Sequence, residues 1–161
     1  MKNLLFVLFT ISLFSCTKDV VNIEAPKNYE IWSGPSIEFK KEPGTDPNIE
    51  KNQDSITPSV AITRGIKGEI YNAFKESESK RSFSPLGTKW SIGNIDNLET
   101  LEFKTFRTAV GSPKSVVGKK LVLHIEEENI ILSVEFTSWN GGGGGSDGGG
   151  SGFSYIRSTK N

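Results

Sequence analysis

Cysteine, histidine and methionine each occur once in this 161-residue chain. A single cysteine, Cys16, leaves no pair for an internal disulfide, so core burial must carry stability. A single histidine, His124, excludes a zinc site built on several imidazoles and leaves one residue around which a Ser-His-Asp triad could form. Excess charge of either sign is missing as well, with 19 Lys and Arg against 19 Asp and Glu. Such neutrality argues against nucleic acid as a partner, because that binding draws on clustered basic side chains. The main apolar run, Leu4 to Phe14, is shorter than the roughly 20 residues a membrane helix needs.

The position of that run gives it meaning. It follows Met1-Lys2-Asn3 and ends at Ser15-Cys16, the order of a secretory signal: a short positive region, an apolar stretch and a small residue at the cut. Leu13-Phe14-Ser15-Cys16 resembles the lipobox of bacterial lipoproteins. The resemblance implies cleavage before Cys16, lipid on its thiol, and a bacterial outer membrane as the partner that holds the chain, facing periplasm or exterior. The expected organisation is a signal peptide at 1–15, lipidated Cys16 with a spacer to residue 28, and one β-domain over 29–161. Pro26 and the absence of any sustained period mark the spacer, and Lys18-Asp19 resembles the tag that sends some lipoproteins to the cell surface. The 146 residues from Cys16 onward suit one domain.

From Tyr29 onward the chain reads as short segments rich in Ile, Val, Phe, Thr and Trp, separated by Gly, Pro, Asn or Asp. Candidate strands are Glu30 to Trp32, Ser36 to Lys40, Ser59 to Thr63, Glu69 to Lys75, Thr88 to Ile92 and Leu98 to Phe103. The clearest unit is a hairpin of Leu121 to Ile125 and Ile130 to Thr137 around Glu126-Glu127-Glu128-Asn129. In its second strand Ile130, Leu132, Val134 and Phe136 share one face, with Ser133, Glu135 and Thr137 on a wetter one. Lys104 to Val110 can make a turn or two of helix before Gly111 and Pro113 end it. The pattern predicts an all-β fold: a single β-sandwich or jelly-roll-like domain of about 7–9 mostly antiparallel strands, with at most one short helix.

Nine of the 17 glycines lie in Asn140 to Gly152, read as a long loop joining two antiparallel strands. Its random-coil span of about 20 Å far exceeds the roughly 5 Å between paired strands, and extra loop length costs little. The spacing Gly143-x-Gly145-x-x-Gly148 is met by any poly-glycine, and no βαβ unit surrounds it, so no dinucleotide site is inferred. Asp46, Asn48, Glu50, Asn52 and Asp54 put oxygen-bearing side chains at every second position, a rhythm that suits calcium. Lys51 and Thr57 stand where an EF-hand needs glycine and glutamate, so the main expectation is a polar loop and no cofactor, with structural calcium as the alternative. Glu126 to Glu128 reads as a solvated turn, and His124 as a hydrogen-bonded sheet residue. Of the Trp and Tyr residues at 32, 90, 139, 29, 71 and 155, at least half should be buried. Strand parity counted from Phe136 turns Trp139 away from Ile130 and Leu132, beside the glycine loop, as a candidate ligand-contacting ring.

Ser84-Pro85-Leu86-Gly87-Thr88-Lys89-Trp90, Leu123-His124-Ile125, Val134-Glu135-Phe136-Thr137-Ser138-Trp139 and Gly152-Phe153-Ser154-Tyr155-Ile156-Arg157-Ser158-Thr159 together resemble a group of secreted bacterial β-domains without an established activity. The resemblance implies an extracellular module in which Trp139, Tyr155 and Arg157 belong to a shared framework. These three are the candidate ligand-binding residues, and no catalytic residue is singled out. The preferred expectation is a non-catalytic binding or adhesion module for a glycan or protein. A small polysaccharide hydrolase using two carboxylates and a purely structural envelope protein are the alternatives.

Overall fold

The computed structural model describes residues 28–141 and 151–161. The signal, Cys16 and most of the spacer lie outside the described residues, as does most of the glycine segment. The remainder is an all-β domain of nine strands in two sheets, with one α-helix of five residues.

The larger sheet takes β1 (Glu30–Trp32), β2 (Ile37–Lys41), β6 (Thr88–Ile92), β7 (Lys120–Ile125), β8 (Ile130–Trp139) and β9 (Phe153–Arg157). Its order is β2-β9-β8-β7-β6. Hairpin β7-β8 is its centre, with Ile125 opposite Ile130 and Lys120 opposite Glu135. Asn129 closes the turn at φ 55°, a left-handed conformation that Asn tolerates. The other edge of β8 is divided. Residues Ile130–Leu132 pair in parallel with β1, and Val134–Trp139 pair antiparallel with β9.

Alternation sets the core. Leu121, Leu123, Ile125, Ile130, Leu132, Val134 and Phe136 are all buried on one side of the sheet. Helix α1 (Phe106–Val110) lies on that side and packs Phe106 against Trp90 at 5.1 Å and Phe136 at 5.7 Å between ring centroids. Each such ring contributes about 1.5–3 kcal/mol through burial alone. The helix stops at Gly111, whose φ of 74° suits a residue without Cβ.

The smaller sheet, β3 (Asp54–Thr57), β4 (Val60–Arg64) and β5 (Ile70–Asn72), closes the same core with Ile56, Val60, Ile62 and Ile70. Two expectations are corrected here. Leu98 to Phe103 is not a strand. Its first three residues belong to a 3-10 turn over Ile95–Thr100, and the chain then meets the sheet through a lone bridge from Lys104 to Trp90. This segment brings Phe103 to 5.6 Å from the His124 ring, with Tyr29 at 5.1 Å. The outer face of the hairpin is covered near His124, where Val122 and Ile131 are buried, while Ser133 is half-buried and Glu135 and Thr137 are exposed, as expected of the wetter face. Conversely, Asp54 to Thr57, inside the segment from Pro43-Gly44 to Pro58 read as a polar loop, is a strand.

Candidate functional site

The strand that leads to the glycine segment carries an irregularity. Between Phe136 and Ser138 the register of β8 against β9 shifts by one residue, the signature of a bulge. One extra residue reverses parity, so Trp139 returns to the core side instead of facing away from it. Its ring stacks on Phe106 at 6.0 Å and meets Phe136 at 5.7 Å. The Arg64 guanidinium lies over the ring, 3.9 Å from its centroid. Trp139 thus supports an arginine instead of offering a bare face to a sugar.

Arg64 ends β4 and is 2% exposed. Its Nε donates to the Gly68 carbonyl at 3.0 Å, and one terminal nitrogen donates to the carbonyls of Asn140 at 2.9 Å and Gly152 at 3.0 Å. Those two carbonyls are the feet of the glycine segment, already joined by a bond from Asn140 N–H to Gly152 O. Gly152 is required there, because a Cβ would stand 2.7–2.8 Å from atoms of Pro43. Ser151 adds a bond from its hydroxyl to the Ile66 carbonyl at 2.6 Å. Burial pulls the Arg64 pKa down to about 10 against the opposing pull of Glu69, and a guanidinium stays charged at that value. Behind it lies buried Lys41, whose ammonium donates to Thr45. Burial, and then the charge of Arg64, lower its pKa.

Beside this cluster opens a cleft of about 340 Å³, lined by Arg64, Glu69, Arg81, Arg107, Lys114 and Trp139 together with Ser79, Ser112 and Pro113. Four cations face one carboxylate. Arg107 Nε binds Glu69 Oε1 in an ion pair with Glu69 buried, while Glu69 Oε2 is buried without a donor among the described residues. Arg81 and Lys114 are exposed, with no carboxylate within 4 Å of either among the described residues. The chain has four arginines, and three of them line this cleft.

No protein-family model, curated protein or solved structure matches the chain. The site must be read from its own chemistry.

The other candidate residues are placed as follows. Tyr155 and Arg157 are 1% and 6% exposed, and their polar ends converge on Asp54. Asp54 Oδ2 accepts from Tyr155 OH at 2.6 Å and Arg157 Nε at 2.7 Å, and Oδ1 accepts from an Arg157 terminal nitrogen at 2.8 Å. Burial, and then the Asp54 charge, hold the Tyr155 pKa well above its usual value. Burial pulls Arg157 down, but its bonds to Asp54 outweigh that and leave its pKa raised. This is an internal triad spanning the two sheets.

The series Asp46, Asn48, Glu50, Asn52 and Asp54 is divided. Asp46 accepts from the Asn48 backbone and side chain, Asn52 donates to the Asp46 carbonyl, Glu50 opens a 3-10 turn, and Asp54 points into the core. Among the described residues, no three His, Cys, Asp or Glu stand together as metal ligands. Three of the six Trp and Tyr residues, Trp90, Tyr71 and Tyr155, are buried. His124 bonds Asn129 at 3.1 Å. Glu128 departs from the solvated-turn expectation, because its carboxylate accepts from the Ser59 hydroxyl at 2.6 Å and backbone N–H at 3.2 Å, joining the hairpin tip to the turn before β4.

A second groove of about 310 Å³ runs over the outer face of the larger sheet, along Lys120, Glu135, Ile156 and the margin of Arg157. It too has one carboxylate. Sequence reading missed Arg64, Arg81, Arg107 and Lys114, which are scattered over 51 positions. The available signal was the scarcity of arginine itself.

Proposed function

We propose that this chain is a non-catalytic binding or adhesion module, anchored in a bacterial outer membrane through lipid on Cys16, which takes an extracellular glycan or protein ligand in the cleft beside Arg64 and Trp139. One observation carries the reading. In a chain of balanced charge, three of four arginines gather on one concavity at the feet of the glycine segment. Its volume lies at the small end of ligand sites, about 300–1,000 Å³. Glycoside hydrolysis asks for two carboxylates roughly 5–10 Å apart, and each of the two clefts described above is lined by one, Glu69 and Glu135, among the described residues.

The test uses the full chain in membranes. Ser112→Trp fills the cleft from an exposed position, and binding to envelope polymers, environmental polysaccharides and surface proteins is compared with the unaltered chain. Loss of a bound ligand on filling is the expected result. A chain that binds nothing, or binds equally well when filled, overturns the reading. Anchoring is tested apart, by palmitate labelling that should vanish in Cys16→Ala.

A further inference from the structure

Resting on the binding-module reading, we infer that the cleft selects an anionic polysaccharide, with Arg81 and Lys114 meeting the acid groups of successive sugars. The four cations are of two kinds. Arg64 spends its guanidinium on three backbone carbonyls and the Trp139 ring, and Arg107 on Glu69. These two are fixed parts of the wall and set its potential. Arg81 and Lys114 are exposed at the same cleft and meet no carboxylate within 4 Å among the described residues. A guanidinium offers a planar fork suited to a carboxylate, and an ammonium a compact point charge. A neutral ligand would use neither.

The same surroundings favour a glycan over an acidic peptide. Peptides bind β-domains chiefly by adding a strand to an open edge or by seating apolar anchors in pockets. Here the edge at β5 is occupied by its own loop, since Glu69 N–H donates to Ser79 Oγ and Asn72 N–H to Glu76 Oε2. The apolar ring that could seat an anchor, Trp139, is covered by Arg64. The lining combines the cations, Ser79 and Ser112 with the apolar surface of Pro113, which suits a sugar ring that carries hydroxyls and acids on an apolar frame. A shallow, solvated site of this kind gives weak, salt-sensitive affinity per site.

The experiment titrates the full chain, in its membrane-bound form, with four probes: an oligogalacturonate, its methyl ester, a sulfated galactan oligosaccharide and a glutamate oligomer. Oligogalacturonate should bind at least tenfold more tightly than its ester, and less tightly as salt rises. Arg81→Gln with Lys114→Gln should lose at least tenfold in affinity while keeping the thermal midpoint, since both side chains are exposed. Binding of the sulfated probe with the same sensitivity supports the inference and widens the acid group from carboxylate to sulfate. Equal binding of acid and ester, indifference to the double substitution, glutamate oligomer bound as tightly as uronate, or no anionic probe bound at millimolar concentration each overturns it. If a neutral polymer is then bound and lost in Ser112→Trp, the binding-module reading survives the failure; if Ser112→Trp changes no binding, both fall.

Discussion

Breaking the Asp54–Arg157 pair from either side should cost far more than replacing both partners together. Both side chains are more than nine-tenths buried, and the pair is bidentate at 2.7 and 2.8 Å, with Tyr155 as a third donor. Arg157→Met leaves a buried carboxylate served by one hydroxyl, and Asp54→Leu leaves a buried guanidinium; removing one partner of such a pair costs about 3–5 kcal/mol. The double variant buries neither charge and leaves the Tyr155 hydroxyl unpaired, at roughly 1–3 kcal/mol. The singles therefore sum to about 6–10 kcal/mol and the double to about 3 or less, a coupling of at least about 3 kcal/mol. Urea titration followed by tryptophan fluorescence, with unchanged slopes checking two-state behaviour, measures all four corners of the cycle. Total stability of a domain this size is about 5–15 kcal/mol, so low temperature keeps the singles folded. Singles within 1 kcal/mol of the parent, or a double equal to their sum within about 0.5 kcal/mol, would refute the assignment of Arg157 and Tyr155 to the core.

Three further outcomes follow from the same contacts. The raised pKa of Tyr155 means that the folded state holds its proton where the unfolded state, near pH 10, releases it; its contribution to stability should fall as pH rises above about 10, with Tyr71, also raised by burial, adding to the fall and Arg64, lowered to about 10, opposing it, and Tyr155→Phe should remove the Tyr155 part in alkaline melting curves. At Glu128, burial opposes ionisation, but the Ser59 bonds outweigh it and depress the pKa; Glu128→Gln should cost about 1 kcal/mol at pH 7, a gap that closes as pH falls below about 4, read from denaturation midpoints. Arg64→Met removes the nitrogen that holds the Asn140 and Gly152 carbonyls, so hydrogen exchange at the Asn140 amide should quicken while exchange at Leu123 holds; an unchanged Asn140 rate counts against the clamp.

Where side-chain alternation alone decides the outcome, the fold was legible. Strands β1 and β6 match Glu30 to Trp32 and Thr88 to Ile92 end for end, and the β7-β8 hairpin adds only Lys120, Ser138 and Trp139 to the segments expected. Sequence logic failed where a distant partner overrides local chemistry. Asp54 to Thr57 begins with an acid after a polar run, and only pairing to β4 and the Arg157 contact make it a strand. Leu98 to Phe103 has the apolar spacing of a strand but finds no partner beyond the Lys104 bridge. Trp139 was misassigned by a single residue. Parity counting assumes an unbroken period of two, and the bulge after Phe136 breaks it. No local signal at Phe136-Thr137-Ser138-Trp139 marks that extra residue. It is fixed by how Phe153 and Ser154 return from the glycine segment to pair with Trp139 and Ser138.

The division of labour between the two cations explains why the site escaped detection by net charge. Lysines supply the surface pairs, Lys40–Glu42, Lys75–Glu127, Lys89–Glu126, Lys104–Glu102 and Lys160–Glu30, worth about 0–1 kcal/mol each. They balance the acids without marking any place. Three arginines are held by fixed internal partners: Arg157 by both oxygens of Asp54, Arg64 by three carbonyls, and Arg107 by a buried Glu69. Arg81 breaks this rule. It lies exposed at the cleft with no carboxylate within 4 Å among the described residues, in a chain that otherwise spends arginine on fixed internal partners. A guanidinium at a concave surface, where a lysine would have served solubility equally well, is the feature on which the inferred acidic ligand rests, and Arg81→Gln is the substitution that weighs it.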